Sequence, residues 1–306
     1  MGVRHASSMA DGIEVMLMRL DALTEADQHR LASFLDQEEA ERAESIRSAR
    51  VRRQYIATRA TARVSLALQT GQPLQQVRFR EGVWGKPYLD AMPGQITCDF
   101  NISHSDRYVA IALGQPATAN GQSGPGNIGL DIETHQQRLD IDALASCSLT
   151  DHEHRTFQSL SQHTARQTYF LRNWTLKEAV LKSVGTGLVT DLKQIFCDLA
   201  SDHSAFSFQF SSQVSEESML AWQAQIDTDT VLSLAVPKSS GINHVRVRQL
   251  LQPLNAVESV FRLHLGHGDL VNQLPSSPLN RQVHHERIQH LTHAKKHYPG
   301  CHLRPQ

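Results

Sequence analysis

The amino-acid sequence predicts a soluble α+β protein built from two similar halves. Charged, alanine-rich stretches with helix-capping residues are followed in each half by short β-type runs. A loop rich in Gly, Pro, Ser and Asn, residues 114–127, separates the halves. Each half therefore combines helices with a small, mostly antiparallel sheet over about 110 residues, although no sequence repeat relates one half to the other.

The first half begins with a strand over residues 13–20. A Thr24-x-x-Asp27 capping box then opens a short helix. The charged stretch from Glu38 to about Gln69 predicts one or two long helices, which Gly71 and Pro73 end. Three short strands complete this half, near Val77–Arg80, Phe100–Ile102 and Tyr108–Leu113.

The second half follows a similar plan, with its first strand at Ile128–Glu133. The signals Thr150-x-x-Glu153 and Thr164-x-x-Gln167 predict two helix starts, and the second helix runs through Lys182 to Gly185. The β-type runs of this half lie at residues 195–199, 206–211, 221–226 and 231–236.

We expect four segments: a flexible N-terminus (1–11), an N-terminal α+β subdomain (12–120), a C-terminal one (121–238) and an extension (239–306). The extension is basic and partly disordered, with nine of the 17 histidines, eight Lys or Arg and three Asp or Glu. Asn255-x-x-Glu258 predicts a short amphipathic helix there, and a second helix is expected from about residue 281 to 297.

Charge and composition exclude several function classes. The formal net charge of -1 provides no global field to recruit nucleic acid or anionic membrane. Four scattered cysteines with no C-x-x-C pair argue against a zinc ribbon or a thiol redox site. Neither a signal core nor a membrane-length apolar run is present. We therefore expect a cytoplasmic protein that contacts no membrane and no nucleic acid.

Two carboxylates on one strand are the first candidate functional residues. In the sequence Gly-Leu-Asp131-Ile-Glu133 they occupy positions i and i+2, and the alternation of a strand turns both to the same face. Such a pair repels unless a cation or a proton lies between the groups, and oxygen-only ligands suit Mg²⁺. An exposed strand face with solvated acids is the alternative interpretation of this pair.

A helical Glu–Lys pair and a Ser-His segment are further candidates. Glu178 and Lys182 lie one turn apart on one helix face, either as a surface ion pair or as a metal ligand with a phosphate-facing cation. Ser103 and His104 end a strand, where hydroxyl and imidazole groups suit contact with phosphate. Lys86 lies in a turn formed by Gly85-Lys86-Pro87.

Taken together, the order and spacing of these motifs resemble the Sfp-type 4'-phosphopantetheinyl transferases over roughly residues 12–237. Four segments carry the resemblance: Gly85-Lys86-Pro87, Phe100-Asn101-Ile102-Ser103-His104-Ser105, Gly129-x-Asp131-x-Glu133 and Trp174-x-x-Lys177-Glu178-Ala179-x-x-Lys182-x-x-Gly185-x-Gly187-Leu188.

The resemblance implies a pseudo-dimer of two α+β subdomains with the active site in the cleft between them, and favours a monomer. It implies Mg²⁺-dependent transfer of the 4'-phosphopantetheine arm of coenzyme A to a serine of an apo acyl or peptidyl carrier protein, which releases adenosine 3',5'-bisphosphate. Asp131, Glu133 and Glu178 would hold Mg²⁺, with Glu178 and Lys182 as catalytic residues. The implied coenzyme A contacts are Arg42, Arg50, Lys86, Ser103, His104, Lys177 and Lys182.

Two other functions remain open. A non-catalytic homologue with the same fold would bind the carrier protein, and its tail would bind a partner. Loss of Glu178, Lys182 or the Asp131/Glu133 pair would favour this alternative, yet all four residues are present. In a further alternative the basic tail is a nucleic-acid or partner-binding module, although few aromatic residues lie between its basic residues to stack on bases.

Overall fold

The computed structural model describes residues 12–119, 126–135, 140–185, 191–197, 199, 219–242, 244–252 and 255–264. Within them the fold is α+β, as predicted, with six α-helices and several small sheets. The helices are α1 (Glu25–Ala32), α2 (Gln37–Ser45), α3 (Ala49–Thr70), α4 (Ile141–Ser148), α5 (Asp151–Ser159) and α6 (His163–Val184). The strands are β1 (Gly12–Arg19), β2 (Phe79–Glu81), β3 (Pro87–Leu89), β4 (Ile96–Thr97), β5 (Phe100–His104), β6 (Tyr108–Leu113), β7 (Ala117–Thr118), β8 (Gly129–Thr134), β9 (Met219–Asp227), β10 (Thr230–Pro237), β11 (His244–Gln252) and β12 (Asn255–His264).

Two sheets form the centre of the molecule. The larger has the strand order β12-β11-β1-β6-β5, and all its pairs are antiparallel except β1 with β11. The smaller has the order β8-β10-β9 and is antiparallel throughout. Both sheets are thus mostly antiparallel, as the sequence predicts.

The topology repeats although the sequence does not. In each half, one strand is followed along the chain by three helices and later by two antiparallel strands. The last of these strands pairs with the strand that begins the half. The resulting sheet orders are β1-β6-β5 in the N-terminal half and β8-β10-β9 in the C-terminal half. The third helix of each half has 22 residues and ends at a left-handed glycine, Gly71 or Gly185. Glycine is suited to these two positive-φ positions because it has no Cβ.

The principal core lies between the two sheets. The strand faces turned away from the long helices supply its apolar side chains, among them Val15 of β1, Leu130 and Ile132 of β8, and Leu234 of β10. Trp222 of β9, 1% exposed, is the largest of these buried side chains. The helices cover the outer faces, for example α3 against β6 and α6 against β8. This arrangement brings β5 and β8, each at the edge of its sheet, beside each other.

Helix caps explain most element boundaries. The capping boxes at Thr24 and Thr150 form as predicted, and a further one at Asp36 starts α2. The stretch from Glu38 to Gln69 contains two helices, because Ser48 caps a new start with its hydroxyl. The predicted cap at Thr164 is wrong, since α6 begins at His163 after Gln162 and has no side-chain cap.

Two further predictions are corrected by the structure. Ile195 to Cys197 are irregular, after a 3-10 turn at Leu192–Gln194, instead of starting a strand. The helix predicted from Asn255 is wrong: residues 255–264 form β12, which pairs with β11. Since β11 pairs with β1, residues after Pro237 extend the first sheet, which local sequence patterns do not reveal. The predictions for residues 1–11, 206–211 and 281–297 lie outside the described residues.

Among the described residues, no helix combines the length and the apolar character that crossing a lipid bilayer requires.

Candidate active site at the seam between the two halves

Close packing of α6 on β8 brings the predicted carboxylates and lysine together. A Cβ atom at Gly129 would overlap the carbonyl oxygen of Ala179 and the amide nitrogen of Ser183. Only a residue without a side chain lets the two backbones approach this closely. Asp131 shares the strand face of Gly129, so it lies against the turn of α6 that ends with Lys182.

An ion pair and a bridging hydroxyl define the geometry of the site. Lys182 Nζ lies 2.6 Å from Asp131 Oδ1, and the lysine side chain is 30% exposed whereas that of Asp131 is 4% exposed. Ser103, on β5 of the other half, donates a hydrogen bond from Oγ to the same carboxylate oxygen, at 3.0 Å. Lys182 Nζ also donates to Ser103 Oγ at 3.1 Å. The site therefore combines groups from both halves.

Mutual repulsion and burial shift the pKa values of the carboxyl groups. Burial, and then the charge of Asp131, raise the pKa of Glu178 to about 7, against the opposing effect of Lys182. Burial, Asp131 and Glu178 also raise the pKa of Glu133 well above its usual range. Burial alone would lower the pKa of Lys182, but the charges of Asp131 and Glu178 outweigh it and raise that pKa. The four groups therefore act as one electrostatic unit.

Two carboxylate oxygens of this unit are buried without a hydrogen-bond partner, Asp131 Oδ2 and Glu178 Oε1. A buried charged oxygen with no partner is costly, and a cation is the usual way to satisfy it. Across the described residues, however, no three His, Cys, Asp or Glu side chains converge closely enough to ligate a metal ion as they stand. The oxygen-only donor set and the two unsatisfied atoms suit Mg²⁺, and the metal assignment stays a prediction.

The assignment of Lys177 to coenzyme A binding is corrected by the structure. Its side chain is completely buried and its ammonium group lies 2.5 Å from Glu153 Oε2. The same group donates to the carbonyl oxygens of Ser148 and Leu192 at 2.8 and 3.1 Å. Lys177 is one residue before Glu178, and a helix rotates by about 100° per residue, so the lysine faces the interior of the C-terminal half.

The structure places Lys86, which is 7% exposed, against backbone carbonyl groups. Its ammonium group donates to the carbonyl oxygens of Gly126, Ile128 (2.9 Å) and Ser183 (3.5 Å). Its contact to coenzyme A stays a prediction. Burial lowers the pKa of Lys86 to about 8, with Asp99 opposing. Lys86 thus ties the turn between β2 and β3 to the start of β8 and the end of α6.

The remaining predicted coenzyme A contacts lie on the N-terminal half. Arg50 reaches the turn after β5, where its Nη1 lies 2.5 Å from Asp106 Oδ1. His104 is half-buried at the end of β5, two residues before that aspartate. Arg42 is exposed in the last turn of α2. Arg50 and His104 therefore border one region of the surface, and their roles stay predictions.

The sequence interpretation missed the polar side chains that join β5 to β8. Asn101 Oδ1 accepts a hydrogen bond from the amide of Leu130 at 2.9 Å, and Thr134 donates to Ser105 Oγ at 3.0 Å. Asn101 and Ser103 of β5 and Ser105, which follows its end, therefore form a ladder along one face. Three polar residues at i, i+2 and i+4 are the signal that would have revealed it.

Comparison with known families agrees with this two-half architecture. A model of the 4'-phosphopantetheinyl transferase superfamily matches residues 127–236, which begin just before β8 and end in β10. A second model, of the N-terminal region of a 4'-phosphopantetheinyl transferase, matches residues 23–115, which hold α1 to β6. Each match therefore covers one half of the fold.

Curated relatives of this chain are phosphopantetheinyl transferases too, at modest sequence identity. A 4'-phosphopantetheinyl transferase, HetI, from Nostoc sp. is 29% identical over 180 residues, which span 59% of this chain and 71% of that protein. The transferase gsp of Aneurinibacillus migulanus is 29% identical over 41% of this chain and 46% of its own length. The L-aminoadipate-semialdehyde dehydrogenase-phosphopantetheinyl transferase of Saccharomyces cerevisiae is 26% identical over 56% of this chain and 61% of its own length. The matched part of this chain therefore spans less than two thirds of the Aneurinibacillus migulanus and Saccharomyces cerevisiae proteins. The two family models, one on each half of the fold, thus support the placement of this chain in the 4'-phosphopantetheinyl transferase superfamily.

Proposed function

We propose that this protein is a phosphopantetheinyl transferase of the Sfp type. It transfers the 4'-phosphopantetheine arm of coenzyme A to a serine of an apo acyl or peptidyl carrier protein and releases adenosine 3',5'-bisphosphate. The observation that carries the proposal is the group of charged residues between the two halves. There, Asp131 and Glu178 each have a buried oxygen without a hydrogen-bond partner, close to Lys182. A site that gathers negative charge in this way needs a cation and suits a phosphate substrate.

Asp131, Glu133 and Glu178 would hold Mg²⁺ in this proposal, because they supply only oxygen ligands and are electrostatically coupled. The bound ion would neutralise the charge that develops on the pyrophosphate oxygen of the leaving group. The partly exposed ammonium group of Lys182 is the protein's own cation at the same place.

Glu178 is suited to take the proton from the carrier serine. Without metal, burial and the charge of Asp131 raise its pKa to about 7. A bound Mg²⁺ would lower this pKa and keep the carboxylate ionised, ready to accept a proton. The serine oxygen then forms a bond to the β-phosphorus of coenzyme A. The bond from that phosphorus to the bridging oxygen breaks, and adenosine 3',5'-bisphosphate leaves with the electron pair. Lys182 would stabilise the negative charge on the transferred phosphoryl group.

The N-terminal half would bind the nucleotide portion of coenzyme A. Arg50 and His104 border one region there, and Arg42 lies exposed on the preceding helix. Cationic and imidazole groups of this kind suit the 3'-phosphate. The apo carrier protein, a monomeric state and a cytoplasmic location belong to the same proposal.

The test is a mass measurement on several apo carrier proteins incubated with the full-length protein, coenzyme A and Mg²⁺. We expect a gain of one phosphopantetheine arm, which disappears when a chelator removes Mg²⁺. No gain on any carrier with folded protein would overturn the proposal, and carrier binding without a gain would support the non-catalytic alternative.

Asp131→Asn sharpens this test, because it keeps the shape of the side chain and removes its charge. We expect transfer to fall by about 10²- to 10³-fold, the usual effect of losing one electrostatic group at a reacting centre. Glu14→Gln is the matched control, since Glu14 is a buried carboxylate on β1 of the other half, paired with Arg248 at 2.8 Å. It should leave transfer unchanged.

A further inference from the structure

The hairpin between β9 and β10 contacts the N-terminal half away from the candidate carboxylates. Asp227 is the last residue of β9, and Arg107 and Tyr108 lie where β6 begins. Tyr108 Oη donates a hydrogen bond to Asp227 Oδ2 at 2.9 Å, and Arg107 Nη2 donates to Asp227 Oδ1 at 2.9 Å. Both oxygens of one carboxylate in the C-terminal half are therefore bound by side chains of the N-terminal half.

A row of hydroxyl groups continues these contacts across the seam. Arg107 Nη2 also donates to Thr230 Oγ1, at 3.2 Å, and Thr230 Oγ1 lies 3.0 Å from Thr134 Oγ1. Thr134 donates its single hydroxyl proton to Ser105 Oγ of the N-terminal half, so Thr230 donates to Thr134. Thr230 is completely buried and Tyr108 is 5% exposed. The seam clamp is the name used below for Arg107, Tyr108, Asp227 and Thr230.

The seam clamp contains charged groups in a partly buried place. The side chains of Arg107 and Asp227 are 32% and 26% exposed. Burial raises the pKa of Asp227, but the hydrogen bonds that it accepts and the charge of Arg107 outweigh this effect and lower that pKa. Asp227 is therefore ionised at neutral pH, and hydrogen bonds to an ionised group are roughly twice as strong as those between neutral groups.

The proposed coenzyme A site is divided between the two halves. The carboxylates assigned to Mg²⁺, Asp131, Glu133 and Glu178, belong to the C-terminal half, whereas Arg50 and His104, assigned to the nucleotide, belong to the N-terminal half. Coenzyme A would therefore span the seam. A ligand held at two linked places gains affinity when their separation is fixed and loses it when the separation fluctuates. No residue of the seam clamp is assigned to metal or coenzyme A, so an effect of the clamp on binding would come from the separation of the halves.

We propose that Asp227 is a positioning residue, which fixes the separation of the two halves by holding Arg107 and Tyr108. This inference rests on the proposed function, because it concerns a substrate that contacts both halves. Its consequence is selective: a ligand that spans the seam depends on Asp227, whereas a ligand that contacts one half does not. Coenzyme A is the spanning ligand, adenosine 3',5'-bisphosphate probes the N-terminal half, and Mn²⁺ probes the C-terminal half.

Asp227→Ala and Tyr108→Phe test the proposal, with Asp229→Ala as the matched control. Asp227→Ala removes both acceptors, and Tyr108→Phe removes one donor on the other half while it leaves the hairpin unchanged. Asp229 lies in the same hairpin and loses the same carboxylate, but that group is 3.8 Å from Arg107, too far for a hydrogen bond. Binding of the three ligands is measured by calorimetry on the full-length protein, together with kcat and KM for coenzyme A.

We expect Asp227→Ala to weaken coenzyme A binding and raise KM by about tenfold, while binding of adenosine 3',5'-bisphosphate and of Mn²⁺ changes less than about twofold. Tyr108→Phe should cause a smaller change in the same direction, and Asp229→Ala should resemble the wild type. Equal weakening of all three ligands by Asp227→Ala would overturn the proposal, because a general loss of structure acts in this way. Coenzyme A binding equal to that of Asp229→Ala would also overturn it.

Hydrogen exchange without substrate or metal separates this proposal from the proposed function. The amides of Leu130 and Ile132 donate across the seam to side chains of β5, at 2.9 and 3.2 Å, whereas the amides of β6 lie within one half. We expect Asp227→Ala to speed exchange of the two seam amides by about tenfold relative to those of β6. If the wild type modifies no carrier protein, the transferase assignment fails, but this selective exchange still supports the positioning role. Exchange that rises equally at both places, or at neither, contradicts the role even if transfer occurs. If Asp227→Ala does not fold, as shown by its thermal transition, Tyr108→Phe is judged by the same outcomes.

Discussion

The two halves of the molecule share their architecture but differ in the side chains on one strand face, the face that the long helix covers. In each half, a glutamate at the third position of a capping box forms a buried ion pair with a basic residue of the long helix. That basic residue also donates to the carbonyl oxygen of the first residue of a 3-10 turn, Leu74 or Leu192. The matching residues are Asp36 and Thr150, Glu39 and Glu153, Arg63 and Lys177, and Gly71 and Gly185, each pair 114 positions apart.

The difference lies on the strand face that the long helix covers. In the N-terminal half this face of β1 carries Met16 and Met18, which pack against alanines and Leu66 of α3, and a single carboxylate, Glu14, which pairs with Arg248 at 2.8 Å. In the C-terminal half the corresponding face of β8 carries Asp131 and Glu133. The repeated ion pairs therefore belong to the architecture, whereas two neighbouring carboxylates on this strand face occur in the C-terminal half and not on β1. Only a residue that departs from the repeat is a good candidate for function.

The largest expected effect concerns the repeated ion pairs. Lys177→Met would leave the Glu153 carboxylate buried without its counter-charge, whereas Arg63→Met would leave Glu39 with Arg59 at 3.2 Å as a remaining basic partner. We expect Lys177→Met to lower the free energy of unfolding by about 3–5 kcal/mol and Arg63→Met by less, both measured by denaturant titration. Adding Glu153→Gln to Lys177→Met should recover part of the loss. A cost below about 1 kcal/mol for Lys177→Met would contradict the burial of an uncompensated charge at Glu153.

The next effect compares the first residues of β1 and β8. Gly129→Ala would force a Cβ against the backbone of α6, whereas Gly12→Ala would meet the imidazole ring of His244, a side chain that is able to move. We expect Gly129→Ala to cost about 1–3 kcal/mol and to lower transfer, because it separates Asp131 from Lys182. Gly12→Ala should cost less and leave transfer unchanged. The free energy of unfolding of both variants is measured by thermal and denaturant unfolding. Equal losses for Gly129→Ala and Gly12→Ala would contradict the close approach of α6 and β8.

A pH dependence of stability between about pH 4.5 and 7 is expected from Glu178 in the C-terminal half. The pKa of Glu178 is raised to about 7 from a usual 4.5, so the folded, metal-free protein binds this proton more tightly than the unfolded chain does. Stability that is present at low pH is therefore lost as the pH rises from about 4.5 to about 7. Glu178→Gln should flatten this part of the stability profile, measured by thermal unfolding without metal. An unchanged profile in that variant would contradict the assignment.

The sequence indicated which candidate site residues share a face, but it did not indicate the long-range contacts around them. The i, i+2 spacing of Asp131 and Glu133 and the i, i+4 spacing of Glu178 and Lys182 indicate which groups share a face, because strand and helix periods are local properties. The role of Lys177 was missed because its partner Glu153 is 24 positions away and burial depends on the fold.

The strand at residues 255–264 was missed for a related reason. Val257, Val260 and Phe261 match a helical period, but Val257, Phe261 and Leu263 also fit the alternation of a strand. Pairing with β11, itself paired with β1 more than 200 positions earlier, decides between the two. Contacts that are distant in sequence leave no local signal of this kind.

The smallest expected effect tests whether the long helix of the N-terminal half contributes to transfer. Leu68 occupies the same position in α3 as Lys182 does in α6, 114 positions earlier, and is 73% exposed. Leu68→Lys would place a cation there, but β1 offers it Met16 and Met18 where β8 offers Asp131 and Glu133. We expect stability within about 0.5 kcal/mol of wild type and unchanged transfer, by denaturant titration and the carrier mass assay. Unchanged transfer would support a role for lysine at this helix position only opposite the carboxylates, and a change in transfer would mean that the N-terminal helix also contributes to catalysis.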